Sequence, residues 1–151
     1  MKKFYYLALA AVVGIALSSC SLMNGDKTPE FTLSNLQGYW QNNQEQKWHI
    51  HFTTEATQDP DYPFYGYEWG SFGDDVTEED VLNDKYGNGW FKYDFETKTG
   101  GLHEIHLMTT GGGEIPKYYY TVSVLTETDL EYYENDHKSI KYKFTKVVPA
   151  K

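Results

Sequence analysis

The sequence predicts an all-β fold: an antiparallel meander of about eight strands closed into a barrel, with one short helix near residues 77–83. Three observations predict it. Short runs alternate apolar and polar residues with period two, the mark of strands with one face in a core. Turn residues separate these runs, mostly at hairpin spacing, so neighbours in sequence become neighbours in space. Aromatic residues make up 17% of the chain and are spread along it, which argues against disorder. Closure is favoured over an open sheet because it removes both exposed edges.

The elements follow in order. An opening strand is expected near Tyr39–Asn43. In the next run Trp48, Ile50 and Phe52 alternate with Lys47, His49, His51 and Thr53. Tyr65, Tyr67 and Trp69 then alternate with Gly66 and Glu68, and Phe91, Tyr93 and Phe95 with Lys92, Asp94 and Glu96. The stretches Gly101–Met108 and Leu130–Glu134 are short and β-rich. Tyr120, Val122 and Val124 alternate with Thr121 and Ser123, and Ile140, Tyr142 and Phe144 with Lys141, Lys143 and Thr145. Asn42-Asn43, Thr99-Gly100-Gly101, Gly111-Gly112-Gly113, Glu127-Thr128-Asp129 and Asn135-Asp136 supply turns. The helix starts at Thr77, an N-cap with Asp80 three residues on, and acids load its first turn where the dipole favours them. Thr32 and Ser34 can start one helical turn before the first strand.

The N-terminus reads as an export signal. Lys2 and Lys3 precede an apolar run, Phe4–Leu17, that is short for a membrane-spanning helix. Leu17-Ser18-Ser19-Cys20 then resembles a lipobox, which implies cleavage before Cys20 and lipid on its thiol. Cys20 is the one cysteine of the chain, so no internal disulfide forms, and lipidation accounts for a lone exported thiol. Three acyl chains anchor stably. The expected organisation is a signal peptide over 1–19, a lipidated cysteine and flexible tether over 20–35, and a barrel domain over 36–148. Ser21, rather than Asp, follows the cysteine; the resemblance to Gram-negative sorting signals implies the cell envelope, at the outer membrane.

Loss of Lys2 and Lys3 leaves 11 basic residues (13 less those two) against 22 acidic ones, a formal charge of −11. Such a domain repels phosphate backbones, so nucleic acid is excluded as an expected partner. The expected partners are the membrane, through the lipid on Cys20, and a small apolar ligand. No protein partner is indicated.

Candidate sites were weighed against plainer roles. His49 and His51 stand two apart, so on a strand both share a face and could grip zinc. That face lies opposite Trp48, Ile50 and Phe52, which makes them solvated strand histidines, and no metal is expected. Asp59, Asp61, Asp74, Asp75, Glu78, Glu79 and Asp80 lack the spacing and mid-loop glycine of a calcium loop. Gly111-Gly112-Gly113 has no Lys-Ser/Thr after it and is no phosphate loop. Gly70-Ser71-Phe72-Gly73 is not a nucleophile elbow. No cofactor and no catalytic residue are indicated, so the chain is not expected to be an enzyme, although a carboxylate pair in a barrel mouth is invisible to sequence reading.

Alternation puts Trp48, Phe52, Tyr67, Trp69, Phe91, Tyr93, Phe95, Tyr120, Tyr132, Tyr142 and Phe144 inside. An eight-stranded barrel is wide enough to be filled by side chains or to hold one small ligand. The rings either fill it or line a pocket with tyrosine hydroxyls as polar anchors, and the sequence leaves both open.

Leu36-Gln37-Gly38-Tyr39-Trp40 resembles the G-x-W signature that opens the first strand of lipocalins, whose Trp plugs the closed end of the barrel. In that family an Arg near the last strand packs over the Trp. This chain has no Arg, a departure from the pattern, and Lys146 in Phe144-Thr145-Lys146-Val147 is the residue available to stand in. The chain is also similar to lipocalin-like lipoproteins of Gram-negative gut bacteria. The similarity lies in Gly66-Tyr67-Glu68-Trp69, Asp75 to Asp80, Gly87 to Lys92, and the segments from Ile115 to Tyr132. It covers nearly all of 36–148 and implies a barrel, not a function.

The leading expectation is a lipid-anchored lipocalin-like barrel that binds a small apolar or amphipathic ligand. Trp69, Trp90, Phe91, Tyr93 and Tyr120 are the expected pocket wall, with the glycines and the acidic helix rimming the mouth. The alternative is a filled-core interaction or envelope accessory module, for which an exposed patch at Trp90 or Tyr118–Tyr119 would speak. An enzyme with carboxylates or histidines in a barrel mouth stands third.

Overall fold

The sheet closes on itself. In the computed structural model, which describes residues 29–85, 87–110 and 116–149, eight antiparallel strands form one barrel in sequence order. They are β1 (Gly38–Asn42), β2 (His49–Ala56), β3 (Phe64–Trp69), β4 (Trp90–Thr97), β5 (His103–Thr109), β6 (Lys117–Leu125), β7 (Asp129–Glu134) and β8 (Lys141–Val147). β8 returns to β1 with Tyr39 opposite Val147 and Asn42 opposite Phe144, so the barrel has no open edge. The expected strands are all present. The signal, Cys20 and the triple glycine lie outside the described residues.

Two short helices attend the barrel. α1 (Leu33–Leu36) is capped by the Thr32 hydroxyl, which accepts from the Asn35 amide at 3.2 Å. It feeds Leu36, fully buried, into the core. α2 (Glu78–Asn83) begins at Thr77 with both halves of the expected capping box in place. Residues within the expected tether also meet the barrel. The Glu30 amide donates to the Leu125 carbonyl at 2.7 Å, and Phe31 stacks on His103 with centroids 4.2 Å apart. The reason is apolar: Phe31 and Leu33 pack against the main core.

α1 lies at one end of the barrel. There Trp40, with no exposed surface, donates its indole N–H to the Leu36 carbonyl at 2.7 Å. Lys146 lies over the Trp40 ring, its Nζ 4.9 Å from the centroid, and donates to the Asn35 carbonyl at 2.7 Å. Tyr93 donates to the Thr53 carbonyl at 2.7 Å on the same side, and Phe52, Ile105, Leu125, Leu130 and Phe144 complete a dry interior. This half is packed solid.

One strand departs from the expected facing. In β3 the inward residues are Phe64, Gly66 and Glu68, opposite Ala56, Phe52 and Ile50 of β2. Tyr65, Tyr67 and Trp69 face out. The expectation that Tyr67 and Trp69 lie inside is therefore corrected. The physical reason is that α2 covers this wall, so its outer face also demands apolar side chains. Tyr67, Val81 and Trp90 form a second buried cluster there, with Tyr65 and Trp69 against it. A strand that is apolar on its covered outside gives the sequence the wrong phase. β6 carries a bulge between Val122 and Val124, after which Leu125, not Val124, joins the core.

Gly66 is required by packing. A Cβ there would overlap the Phe91 ring of β4 and come within 3.0 Å of the His51 carbonyl. Gly66→Ala is expected to cost about 1–3 kcal/mol in urea unfolding. The cost should shrink in a Phe91→Leu background, because the overlapping ring is gone; equal costs in both backgrounds would refute this account.

Candidate functional site

The opposite end of the barrel is not filled. The strands bring a cavity of about 290 Å³ into being between them, lined on one side by Trp48, Ile50, Phe52 and Phe91 and on the other by Leu107, Tyr118, Tyr120, Tyr132 and Tyr142. The rings touch one another edge to face, which leaves the space between them open at the centre. Trp48 and Tyr142 are 5.5 Å apart at 83°, Tyr120 and Tyr132 5.0 Å apart at 63°. An adjoining space of about 280 Å³ shares Glu68, Phe91, Leu107, Thr109 and Tyr118 with it and runs toward Gly87–Trp90.

Two carboxylates enter this apolar cavity. Glu68 comes from β3 and Glu134 from β7. Glu68 accepts one hydrogen bond, from the Trp48 indole N–H at 3.0 Å. Burial pushes its carboxyl above the usual glutamate range, and the indole hydrogen bond only partly offsets this. Glu134 accepts from His137 Nδ1 at 3.2 Å, toward solvent. The phenols of Tyr120, Tyr132 and Tyr142 are all pushed up, first by burial; Glu134 adds to this at Tyr120 and Tyr142, and Tyr120 and then Glu68 at Tyr132. These phenols stay neutral and are available as hydrogen-bond donors into the cavity.

The turn after β3 borders the mouth. Gly70, at φ 60°, starts a 3-10 turn over Ser71–Gly73. Phe72 occupies the left-handed region at φ 53°, the one non-glycine among the described residues with positive φ, and its side chain is 77% exposed. A bulky residue held there carries local strain. Its ring stands 5.1 Å from Trp48 and borders the cavity at its mouth.

The expected wall residues fall into three groups. Phe91 and Tyr120 line the cavity. Tyr93 faces inward but belongs to the packed half, where its hydroxyl is bound to Thr53. Trp69 and Trp90 face outward: Trp69 stacks on His49 at 5.0 Å, and Trp90 donates to the Val81 carbonyl of α2 at 2.6 Å, reaching only the adjoining space. The acidic helix does not rim the mouth; it lies against the outer face of β3, held there by the Tyr67 hydroxyl, which donates to Glu78 at 2.8 Å. Sequence reasoning missed Glu68 because the inverted phase of β3 put it outside. The signal that could have found it is the pairing of Glu68 with Ile50, an inward residue, across the β2–β3 hairpin.

Three of the acids considered have structural partners. Asp75 pairs with Lys47 at 2.7 Å, Asp59 with Lys92 at 3.4 Å, and Asp80 closes the capping box on Thr77. Among the described residues no three His, Cys, Asp or Glu side chains gather to hold a metal ion, and no helix is long and apolar enough to cross a membrane. The surface patch considered at Trp90 and Tyr118–Tyr119 is broken up: Trp90 is buried, Tyr118 lines the cavity and Tyr119 is exposed. Comparison with protein-family models, with curated proteins and with solved structures found no match.

His51 faces outward but is closed off. Tyr39 stacks on it at 3.7 Å, Tyr67 meets it edge-on at 5.1 Å, and its Nδ1 is buried without a hydrogen-bond partner. Burial lowers its pKa from 6.5 to about 4. Between these values the unfolded chain binds a proton at this site that the folded chain does not, so stability rises with pH across the window and is lost as pH falls through it. His51→Phe keeps the ring stack and removes the titration. Thermal melts of the variant should fall less than those of the wild type from neutral pH down to about 4; parallel curves would contradict the burial of a neutral imidazole.

Proposed function

We propose that the protein is a lipid-anchored lipoprotein of the cell envelope, at the outer membrane, whose lipocalin-like barrel binds a small apolar or amphipathic ligand and performs no catalysis. The observation that carries the binding half is the aromatic cavity of about 290 Å³ at one end of a barrel whose other end is packed solid. A volume at the small end of ligand pockets suits a compact molecule rather than a long acyl chain. Lys146 over Trp40, beside α1, supports the lipocalin-like reading of the closed end. The anchor rests on Lys2, Lys3, the apolar run to Leu17 and the lipobox ending at Cys20.

The test is native mass spectrometry of the full chain purified gently from its host, before and after denaturation. One stoichiometric small molecule is expected, lost on denaturation. Leu107→Trp, which fills the cavity from β5, should purify folded and empty. A wild-type chain that is always empty would overturn this reading in favour of the interaction module. The same spectra test the anchor. The full chain should carry the mass of a lipid on Cys20, and Cys20→Ser should lose it and leave the membrane fraction.

A further inference from the structure

The packed end of the barrel and the open end differ in charge. The inward cation, Lys146, sits over Trp40 in the packed half. The open half holds Glu68 and Glu134 with no lysine among its lining residues. Among the described residues Glu68 has no ion-pair partner; its one hydrogen bond is the Trp48 indole N–H, a neutral donor. A carboxylate taken out of water costs several kcal/mol unless a counter-charge meets it. Glu68 faces the cavity with no counter-charge among the described residues.

The rings around it point the same way. Trp48, Tyr120, Tyr132 and Tyr142 surround the space and present ring faces and edges to it. Ring faces carry negative potential and attract cations, most strongly where water is excluded. The hydroxyls of the three tyrosines make no hydrogen bond to any described residue, so they too are free for a ligand. Outside the mouth the whole chain carries −9, which draws cations toward it.

We infer that the cavity takes an organic cation, a protonated amine on a compact apolar body, with Glu68 as its counter-ion and the aromatic rings as its cage. The inference rests on the reading of the barrel as a ligand-binding one and names the chemical class of the ligand. Burial pushes the Glu68 carboxyl above its ordinary range; an ammonium group beside it would draw it back down. Trp48 fixes the carboxylate by its N–H, Tyr120 and Tyr132 lie near it, and Phe72 stands at the mouth against Trp48.

The test titrates the full chain, held in lipid nanodiscs, with three probes of one shape and different charge: phenethylamine, phenethyl alcohol and phenylacetate. Empty discs serve as the blank in isothermal calorimetry. The amine is expected to bind roughly tenfold to a hundredfold more tightly than the alcohol, the worth of a charge-assisted hydrogen bond, and the acid weakest of all. Glu68→Gln keeps the shape and the acceptor for Trp48, so it should melt no lower than the wild type. It should lose the preference for the amine while keeping the affinity for the alcohol. If the alcohol or the acid binds as tightly as the amine, or Glu68→Gln leaves the preference intact, the cation inference falls while the binding reading stands. If no probe binds and Leu107→Trp changes nothing, both fall.

Discussion

The pairing of β8 onto β1 is the constraint from which the rest of the structure follows. Once Tyr39 meets Val147 and Asn42 meets Phe144, the interior has a fixed circumference, and every second residue of eight strands must share it. The supply of large inward side chains is uneven along the axis. Near α1 the interior takes in Leu36, Trp40, Phe52, Ile105, Leu125, Leu130 and Phe144, and these rings and branched chains form one buried cluster. Toward the other end the inward positions carry Glu68, Tyr118, Tyr120, Glu134 and Tyr142. Their polar tips cannot be pressed into a dry core without partners, so the rings stand back from one another and the barrel stays open.

The same closure explains why α2 is where it is. A barrel has two faces to every strand, and β3 is aromatic on the outer one. Tyr65, Tyr67 and Trp69 would leave an exposed apolar strip if nothing covered them. The connection from β3 to β4 carries its own cover: Val81 packs on Tyr67 and Trp90, and the Trp90 indole is satisfied by the Val81 carbonyl. The close approach depends on Gly89, at φ 91°, where a Cβ would stand 2.7 Å from the Glu68 carbonyl and 2.9 Å from Val81. The helix is thus structural, a patch on the outer wall, and its acids serve as caps and as an acceptor for the Tyr67 hydroxyl.

Much of this was legible in the sequence, and the main misreading has a local cause. Alternation reads a strand correctly where polar residues hold the outer face, as in β2, where His49 and His51 go out and Ile50 and Phe52 go in, or in β8, where the lysines 141 and 143 mark the wet side. It fails in β3, where both faces are apolar-demanding and Gly66 sits inward because Phe91 needs the space. A glycine has no side to declare, and a glutamate inside a barrel reads as solvent-facing. The capping box at Thr77 was legible because it is local: two side chains, three residues apart, satisfy two amides. The cavity was not, because openness is a property of eight strands at once and no window of the chain contains it.

That inverted strand is also where the chemistry is. Turning Tyr67 and Trp69 outward to meet α2 necessarily turns Glu68 inward, one residue being the price of the other in a period of two. The chain could have spent that position on an apolar residue, as it does at Ile50 across the hairpin, and the mouth would then have packed like the closed end. It carries instead an acid whose one partner among the described residues is an indole N–H, beside three phenols that make no hydrogen bond to any described residue. Buried polar groups left unpaired by the fold weaken it, and they persist where something outside the chain completes them. The outer cover supplied by α2 and the inner acid are thus a single consequence of one strand's phase: the helix covers the aromatic outer face and leaves Glu68 on the cavity side.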